Sequence, residues 1–407
     1  MKRNDIIEVT KDVKWIGILD YDIVTFDIVM ETKFGTTYNS YFIDADKKAI
    51  IETSKETFKD EYLDKIRKVV DPTMIEYIIL DHTEPDHSGN LKHLLKLAPN
   101  AKVVASGSGI RYLTDMINEP FEYITVKDGD VLSLGNKTLR FISAPNLHWP
   151  DSIYTYLEED KLLFTCDSFG AHYCNAEMWD DKVGDYNEAF KYYFDVILKP
   201  FSKFMLRAID KLKNYDINMI CPGHGPILRS TWRKAVELSE KFSKEYIEIS
   251  ENNNNNVLVA YVSAYGYTSQ MADAIEKGLN EAGIKNVEKV DIENISFGEL
   301  DSKLTIASGL VIGSPTINQN TLLPIYKLFA AINPIRDKGK PAVSFGSYGW
   351  SGEAVKIIEN QLKLLKLDVF MSGVSEKFIP SNGKENKFID LGRKFGEYLL
   401  KREEKEN

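Results

Sequence analysis

Asp81-His82-Thr83-Glu84-Pro85-Asp86-His87 packs two imidazoles and three carboxylates into one short run, directly after the apolar stretch Met74-Ile75-Glu76-Tyr77-Ile78-Ile79-Leu80. A strand that delivers the chain into such a loop lets these side chains converge from alternate sides, and burying so many unpaired polar groups without a cation is prohibitive. Imidazole nitrogen and carboxylate oxygen are metal donors, so the chemistry on offer is metal binding. Three further candidates each end a strand-like run: His148 in Ala144-Pro145-Asn146-Leu147-His148, Asp167 in Leu162-Leu163-Phe164-Thr165-Cys166-Asp167, and His224 in Cys221-Pro222-Gly223-His224. Four of the chain's six histidines fall in this set.

In this order the pieces resemble the metallo-β-lactamase superfamily, whose two-metal site uses a His-x-His-x-Asp-His loop, a later His, a bridging Asp and a final His. The chain departs from that loop at one place, where Glu84 stands in the position of the second histidine. An anionic oxygen donor in place of a neutral nitrogen hardens the site and favours iron or manganese over zinc. Two irons bridged by Asp167 would form a redox site, whereas zinc cannot change oxidation state and would activate water for hydrolysis.

An electron source is expected in the last third. After the run of asparagines, Val257-Leu258-Val259-Ala260-Tyr261-Val262 reads as a buried strand; it is followed by Ser263-Ala264-Tyr265-Gly266-Tyr267-Thr268 and a helical pattern from Ser269 to Glu281. Strand, hydroxyl-bearing loop and helix N-terminus make an anion site. No lysine follows the loop, which argues against a Walker-type nucleotide site and suits a single phosphate monoester. Two more strand-to-loop transitions follow, into Ser314-Pro315-Thr316-Ile317-Asn318 and into Ser347-Tyr348-Gly349-Trp350-Ser351-Gly352. All three loops fall at the carboxyl edge of one parallel sheet, where a doubly wound domain binds its ligand. Together they resemble a flavodoxin, with the first loop on FMN phosphate and the others flanking the isoalloxazine.

The two halves joined in this order resemble the flavodiiron proteins, or A-type flavoproteins, over essentially the whole chain. The resemblance implies an αββα metallo-β-lactamase-like domain over residues 1–251, a linker over 252–256 and a flavodoxin-like, doubly wound α/β domain over 257–407. It implies FMN and two iron ions: His82, Glu84 and His148 on one iron, Asp86, His87 and His224 on the other, and Asp167 between them. In some members the counterpart of His87 is swung away from the metal. Asn146, Pro150-Asp151-Ser152 and Thr36-Thr37-Tyr38-Asn39 also match the family pattern. His172 lies close enough to Asp167 in sequence to line the pocket, and Tyr193 belongs to a segment whose tyrosine faces the substrate cavity in the family, so both are catalytic candidates. Asp27 stands near Phe26, where many members carry a histidine.

The implied activity is reduction of dioxygen to water or of nitric oxide to nitrous oxide, with an external electron donor such as rubredoxin, a reduced deazaflavin or a reductase. A head-to-tail homodimer is expected on the same ground. The alternative is a zinc hydrolase carrying an accessory flavodoxin domain; a flavin carrier that has lost its metals ranks last, because every candidate ligand is present. The cysteines, Cys166, Cys174 and Cys221, lack Cys-x-x-Cys spacing, so no fused rubredoxin module is expected and the thiols read as reduced in a cytoplasmic protein.

Composition agrees. Acidic residues outnumber basic ones, 61 to 51, for a formal charge of −10, and without a concentrated basic surface nucleic-acid binding is not expected. No stretch approaches the roughly eighteen apolar residues of a membrane span, and no signal peptide is expected from the N-terminus. Periodicity predicts strands over Tyr38–Ile43, Ala49–Thr53, Ala101–Ala105, Leu139–Ser143 and Ile153–Leu157. Helices are predicted over Thr57–Val69, Ile110–Ile117, Asn187–Leu198, Ser202–Leu212 and Thr231–Ile247.

Overall fold

The computed structural model describes residues 5–26, 30–252, 255–378 and 383–406. Asp27 lies outside them, as do Asn253 and Asn254 of the expected linker. The chain forms two compact units, Met1–Tyr246 and Ile247–Asn407, and their boundary falls inside the helix Trp232–Asn252.

The first unit is built on two main sheets whose spatial order follows the chain. The larger runs β1 (Ile7–Glu8), β2 (Val13–Trp15), β3 (Tyr41–Ile43), β4 (Lys48–Ile51), β5 (Ile75–Ile79), β6 (Lys102–Ser106) and β7 (Tyr123–Val126). β1 to β4 pair antiparallel and β4 to β7 in parallel. The smaller sheet runs β8 (Val131–Ser133), β9 (Thr138–Ser143), β10 (Ile153–Leu157), β11 (Leu162–Cys166) and β12 (Met219–Pro222), antiparallel except for the parallel pair β11–β12.

Period-two alternation assigns each strand's side chains to two cores. Ile51, Ile79 and Val104 meet Phe141 and Phe164 between the sheets. Their neighbours Ile50, Ile78 and Val103 pack with Ile66, Leu94 and Ile110 of the helices Lys59–Val69, Leu91–Leu97 and Gly107–Ile117. Ile142, Tyr154 and Leu163 of the smaller sheet pack likewise with Met205 and Ile209 of the helix Ser202–Leu212. This is the αββα arrangement.

Two elements depart from the periodicity, both beside the candidate site. The strand expected over Tyr38–Ile43 is broken: Thr36–Tyr38 pairs with Ile18–Asp20, while Tyr41–Ile43 joins the large sheet. Buried Asn39 causes the break, donating from Nδ2 to the carbonyls of Pro222 (2.8 Å) and Gly225 (3.0 Å) and accepting from Trp15 Nε1 (2.9 Å). The helix expected over Asn187–Leu198 is α-helical only to Tyr193 and continues as a π turn over Phe194–Leu198, an irregularity frequent at functional sites.

The second unit is a parallel sheet of β13 (Asn256–Tyr261), β14 (Asn286–Asp291), β15 (Gly309–Gly313), β16 (Pro341–Tyr348), β17 (Asp368–Val369) and β18 (Val374–Lys377). Its order is β14-β13-β15-β16-β17, with β18 continuing the pairing along β16. That is the flavodoxin-like strand order. Apolar cores cover both faces, Leu258 and Ala260 turning to one and Val257 and Val259 to the other. Among the described residues no helix is long and apolar enough to cross a membrane.

Helices Tyr267–Glu281 and Asn386–Glu406 touch through their backbones. A Cβ on Gly278 would lie 1.9 Å from the Ile389 carbonyl oxygen, and one on Gly392 would lie 2.2 Å from that of Ile275. Gly392→Val is therefore expected to destabilise the second unit by about 2–3 kcal/mol, read as a lower midpoint in its denaturant unfolding curve.

Candidate metal centre and cofactor edge

Every candidate metal donor leaves a strand end. The run after β5 turns into the short helix Pro85–Ser88, which puts Glu84 just before it and Asp86 and His87 within it. His148 follows β9, His224 follows β12, and Asp167 follows Cys166, whose φ of 48° turns the chain out of β11 at a shift in register with β12. A positive φ at a non-glycine residue is strained and is kept where the surroundings demand it.

These side chains form two donor sets that meet at Asp167. Glu84 Oε2 lies 3.2 Å from His82 Nε2 and 2.9 Å from His148 Nε2, while Asp167 Oδ2 lies 3.6 and 3.7 Å from the same two nitrogens. Asp86 Oδ2 lies 3.1 Å from His224 Nε2 and 3.5 Å from His87 Nε2, while Asp167 Oδ1 lies 3.5 and 3.4 Å from them. Donors about 2.1 Å from one cation are separated by roughly 3.0–3.4 Å at octahedral to tetrahedral angles, so both sets are close to ligating spacing. Asp86 is buried, and neither of its oxygens has a hydrogen-bond partner. A buried ionised carboxylate left in that condition is the observation that a cation explains. The residues present thus fit two metal ions, and the oxygen-rich donor set suits iron.

Partners behind the donors fix their orientation. His82 Nδ1 faces Asp151 Oδ2 at 3.2 Å, and that oxygen also accepts from the Thr83 amide and hydroxyl, each at 2.8 Å. His224 Nδ1 meets the Thr37 carbonyl at 2.5 Å. In both cases Nε2 is left for a metal. Tyr193 OH donates to Asp167 Oδ1 at 2.8 Å, and burial followed by the Asp167 charge pushes this phenol well above its usual range, so it keeps its proton. His172 touches none of the candidate carboxylates. It lies against the rings of Phe26 and Tyr193, with Nδ1 2.9 Å from Thr36 Oγ1 and Nε2 unpartnered. Burial, with His224 beside it, lowers its pKa to about 3, so it is a neutral ring of the pocket wall.

Sequence reasoning missed Glu52, an acidic residue closing the apolar run Ala49-Ile50-Ile51, whose Oε2 lies 3.3 Å from His87 Nδ1. Cys166 Sγ lies 3.6 Å from the same nitrogen, while Cys221 is a side chain of the inter-sheet core. His93 lies on the helix Leu91–Leu97 beside Glu56, away from the centre.

In the second unit the three expected loops leave β13, β15 and β16 at one edge and are tied together there. Thr268 Oγ1 lies 2.9 Å from Ser347 Oγ, both side chains buried, and the Thr316 amide donates to the Ser347 carbonyl at 2.8 Å. Ser263 Oγ accepts from the Ser269 amide, and Gly266, at φ 81°, turns the chain into the helix that starts at Tyr267 rather than Ser269. Ala264 and Asn318 are exposed, Pro315 is buried, and Ile317, Tyr348, Gly349 and Ser351 are half-buried beside exposed Gly352. Tyr265 and Trp350 are each 79 % exposed. Hydroxyls and amides at a helix start, flanked by two uncovered aromatic rings, fit a phosphate-bearing planar cofactor.

Comparison with known proteins agrees unit by unit. Residues 36–225 match the model of the ODP family beta lactamase and residues 259–389 that of flavodoxin. The chain is 40% identical over 402 residues to flavo-diiron protein FprA2 of Clostridium acetobutylicum, covering 97% of this chain and 99% of that one. The chain belongs to the flavo-diiron (type A flavoprotein) family. This flavo-diiron protein is also 32% identical over 396 residues to a nitric oxide reductase of Moorella thermoacetica, covering 95% of this chain and 97% of the other. The solved structure of rubredoxin oxygen:oxidoreductase from Desulfovibrio gigas superposes with a TM-score of 0.73 at 26% identity, covering 97% of this chain and 99% of the other. An FMN- and di-iron-dependent oxidoreductase is therefore the class of the protein, and the expectation of an iron rather than a zinc enzyme agrees with it.

In the metal-free chain burial opposes charge on His82, but Asp151 and Glu84 outweigh it and raise this imidazole to about 10. The proton is bound at neutral pH and must leave before Nε2 can ligate. Apparent metal affinity is therefore expected to rise with pH across the neutral range, by about tenfold per unit for each proton displaced, and calorimetry in buffers of different ionisation heat should report proton release on loading. At the other unit, Thr268→Val is expected to weaken flavin retention in dialysis while the metal content stays unchanged.

Proposed function

We propose that this flavo-diiron protein reduces dioxygen to water, nitric oxide to nitrous oxide, or both, at a non-haem di-iron centre with electrons relayed through FMN. The observation that carries the reading is the division of Asp167, whose two carboxylate oxygens face different donor sets. His82, Glu84 and His148 would hold one iron, Asp86, His87 and His224 the other, and Asp167 would bridge them. When bound, FMN supplies storage for electrons and the iron pair supplies a centre able to pass them to a small oxidant.

The chain's own side chains carry the remaining tasks. Asp151 and the Thr37 carbonyl hold His82 and His224 with Nε2 inward. Tyr193 keeps its phenolic proton and donates it as a hydrogen bond to Asp167 Oδ1, which would temper the charge that the bridge presents. The rings of Phe26, His172 and Tyr193 pack around His224 and would screen that side of the centre from bulk water, and His172 serves there as a neutral ring rather than as an imidazolium. In the second unit Ser263, Thr268 and the amides at the helix start would hold FMN phosphate, while Tyr265, Tyr348 and Trp350 offer aromatic surface to the isoalloxazine.

An external donor, such as rubredoxin, a reduced deazaflavin or a reductase, would reduce the flavin, and the protein would work in the cytoplasm as a head-to-tail homodimer. The names of the Moorella and Desulfovibrio proteins support one gas each. The test is anaerobic reduction of the purified protein, followed by exposure to dioxygen and to nitric oxide with flavin reoxidation recorded. Two irons per chain and rapid reoxidation by at least one gas are expected, and Glu84→His should slow that step with FMN retained. Two zincs, or a flavin that neither gas reoxidises faster than free FMN, would sink the proposal in favour of a hydrolase or a plain carrier.

A further inference from the structure

Glu52 directly follows β4 in the left-handed region, at φ 60°, a costly conformation for such a side chain. The chain is held there at each backbone polar group. Its N–H donates to the Ile79 carbonyl at 2.9 Å, and its carbonyl accepts from Ser40 Oγ at 2.7 Å and Tyr62 OH at 3.2 Å. The residue is 2 % exposed. Oε1 accepts from the amides of Asp81 (2.6 Å) and His82 (3.2 Å). Oε2 has no hydrogen bond and lies 3.3 Å from His87 Nδ1. The other group near that nitrogen, Cys166 Sγ at 3.6 Å, is weak both as donor and as acceptor. The next residue grips the far end of the same histidine, since the Thr53 amide and hydroxyl donate to the His87 carbonyl at 2.8 and 2.5 Å.

A histidine can turn its ring or move its proton between nitrogens, and the group facing one nitrogen decides which lone pair the other offers. We propose that Glu52 is a positioning residue that fixes the ring direction and tautomer of His87, taking the proton at Nδ1 so that Nε2 faces Asp86 and Asp167 bare. In this chain His87 is thereby held as a metal donor and cannot swing aside. The proposal rests on the reading of His87 as an iron ligand.

Glu52→Gln keeps the shape, and an oxygen for the two backbone amides, but sets an NH2 group against Nδ1. His87 must then carry its proton on Nε2, the nitrogen that has to be bare. The full-length, FMN-containing protein is loaded with ferrous iron, and metal release to a chelator is followed without oxygen. Glu52→Gln is expected to lose one iron about 10- to 100-fold faster than the wild type, with flavin content unchanged. In a His87→Asn background the same change should add nothing. Equal release by the wild type and Glu52→Gln overturns the proposal, and so does an undiminished effect in the His87→Asn background, which would mean that Glu52 acts only through the 81–82 backbone. Nitrogen-15 NMR of the zinc-loaded wild type needs no variant: a proton on His87 Nδ1 supports the assignment and one on Nε2 overturns it. A chain that takes zinc but no iron would fail the oxidoreductase reading, while the zinc measurements would still decide the role of Glu52.

Discussion

Buried carboxylates need a partner, and where Asp86 and Asp167 face the four imidazoles the partner that suits them is a cation. Asp86 has no hydrogen bond at either oxygen, and Asp167 sits between four imidazole nitrogens with one phenol donating to it. Burial pushes the Asp167 carboxyl up, yet His87, His82 and His148 overrule it and hold the group well below the usual range. Without metal that balance depends on protonated imidazoles; with metal the imidazoles turn neutral and the ions carry the positive charge. The surrounding architecture serves this exchange. Strand ends present the donors, Asn39 pins the 36–40 segment to the loop of His224, and Asp151 and Thr37 set two of the four rings.

The candidate donors were legible in the sequence because their types are rare, dense and placed after apolar runs. Asp167 and His224 stand just past strands that end at Cys166 and Pro222, while His148 lies in the loop beyond the strand that ends at Ser143. Glu52 was not legible, because a single acidic residue after Ile51 also reads as an ordinary exposed strand end. Its place beside His87 follows from the parallel pairing of β4 with β5, a contact that no local pattern encodes. The break at Asn39 escaped for a related reason: the apolar pattern runs across it, and only side-chain bonds to Pro222 and Gly225 reveal why the strand divides. The π turn after Tyr193 keeps helical periodicity and is invisible to it.

In the second unit the three loops were read from strand, loop and helix punctuation, and they converge through the Thr268–Ser347–Thr316 contacts. β14 was harder to see. Its sequence Asn286-Val287-Glu288-Lys289-Val290-Asp291 has the composition of an exposed segment, and it lies at the sheet edge, where one side lacks a neighbouring strand. Edge position and polar composition go together, since charged edges discourage strand addition by other chains.

The candidate donors come from both sheets of the sandwich, the 81–87 run from the larger and His148, Asp167 and His224 from the smaller. Ions shared between them would rivet the two layers together, so the loaded form would resist opening by whatever free energy of binding the unfolded chain cannot recover. Scarcity of iron would then reach beyond turnover. Newly made polypeptide left unloaded would open more often, meet proteases more often and be cleared sooner, and nutrient supply would set how long each copy lasts.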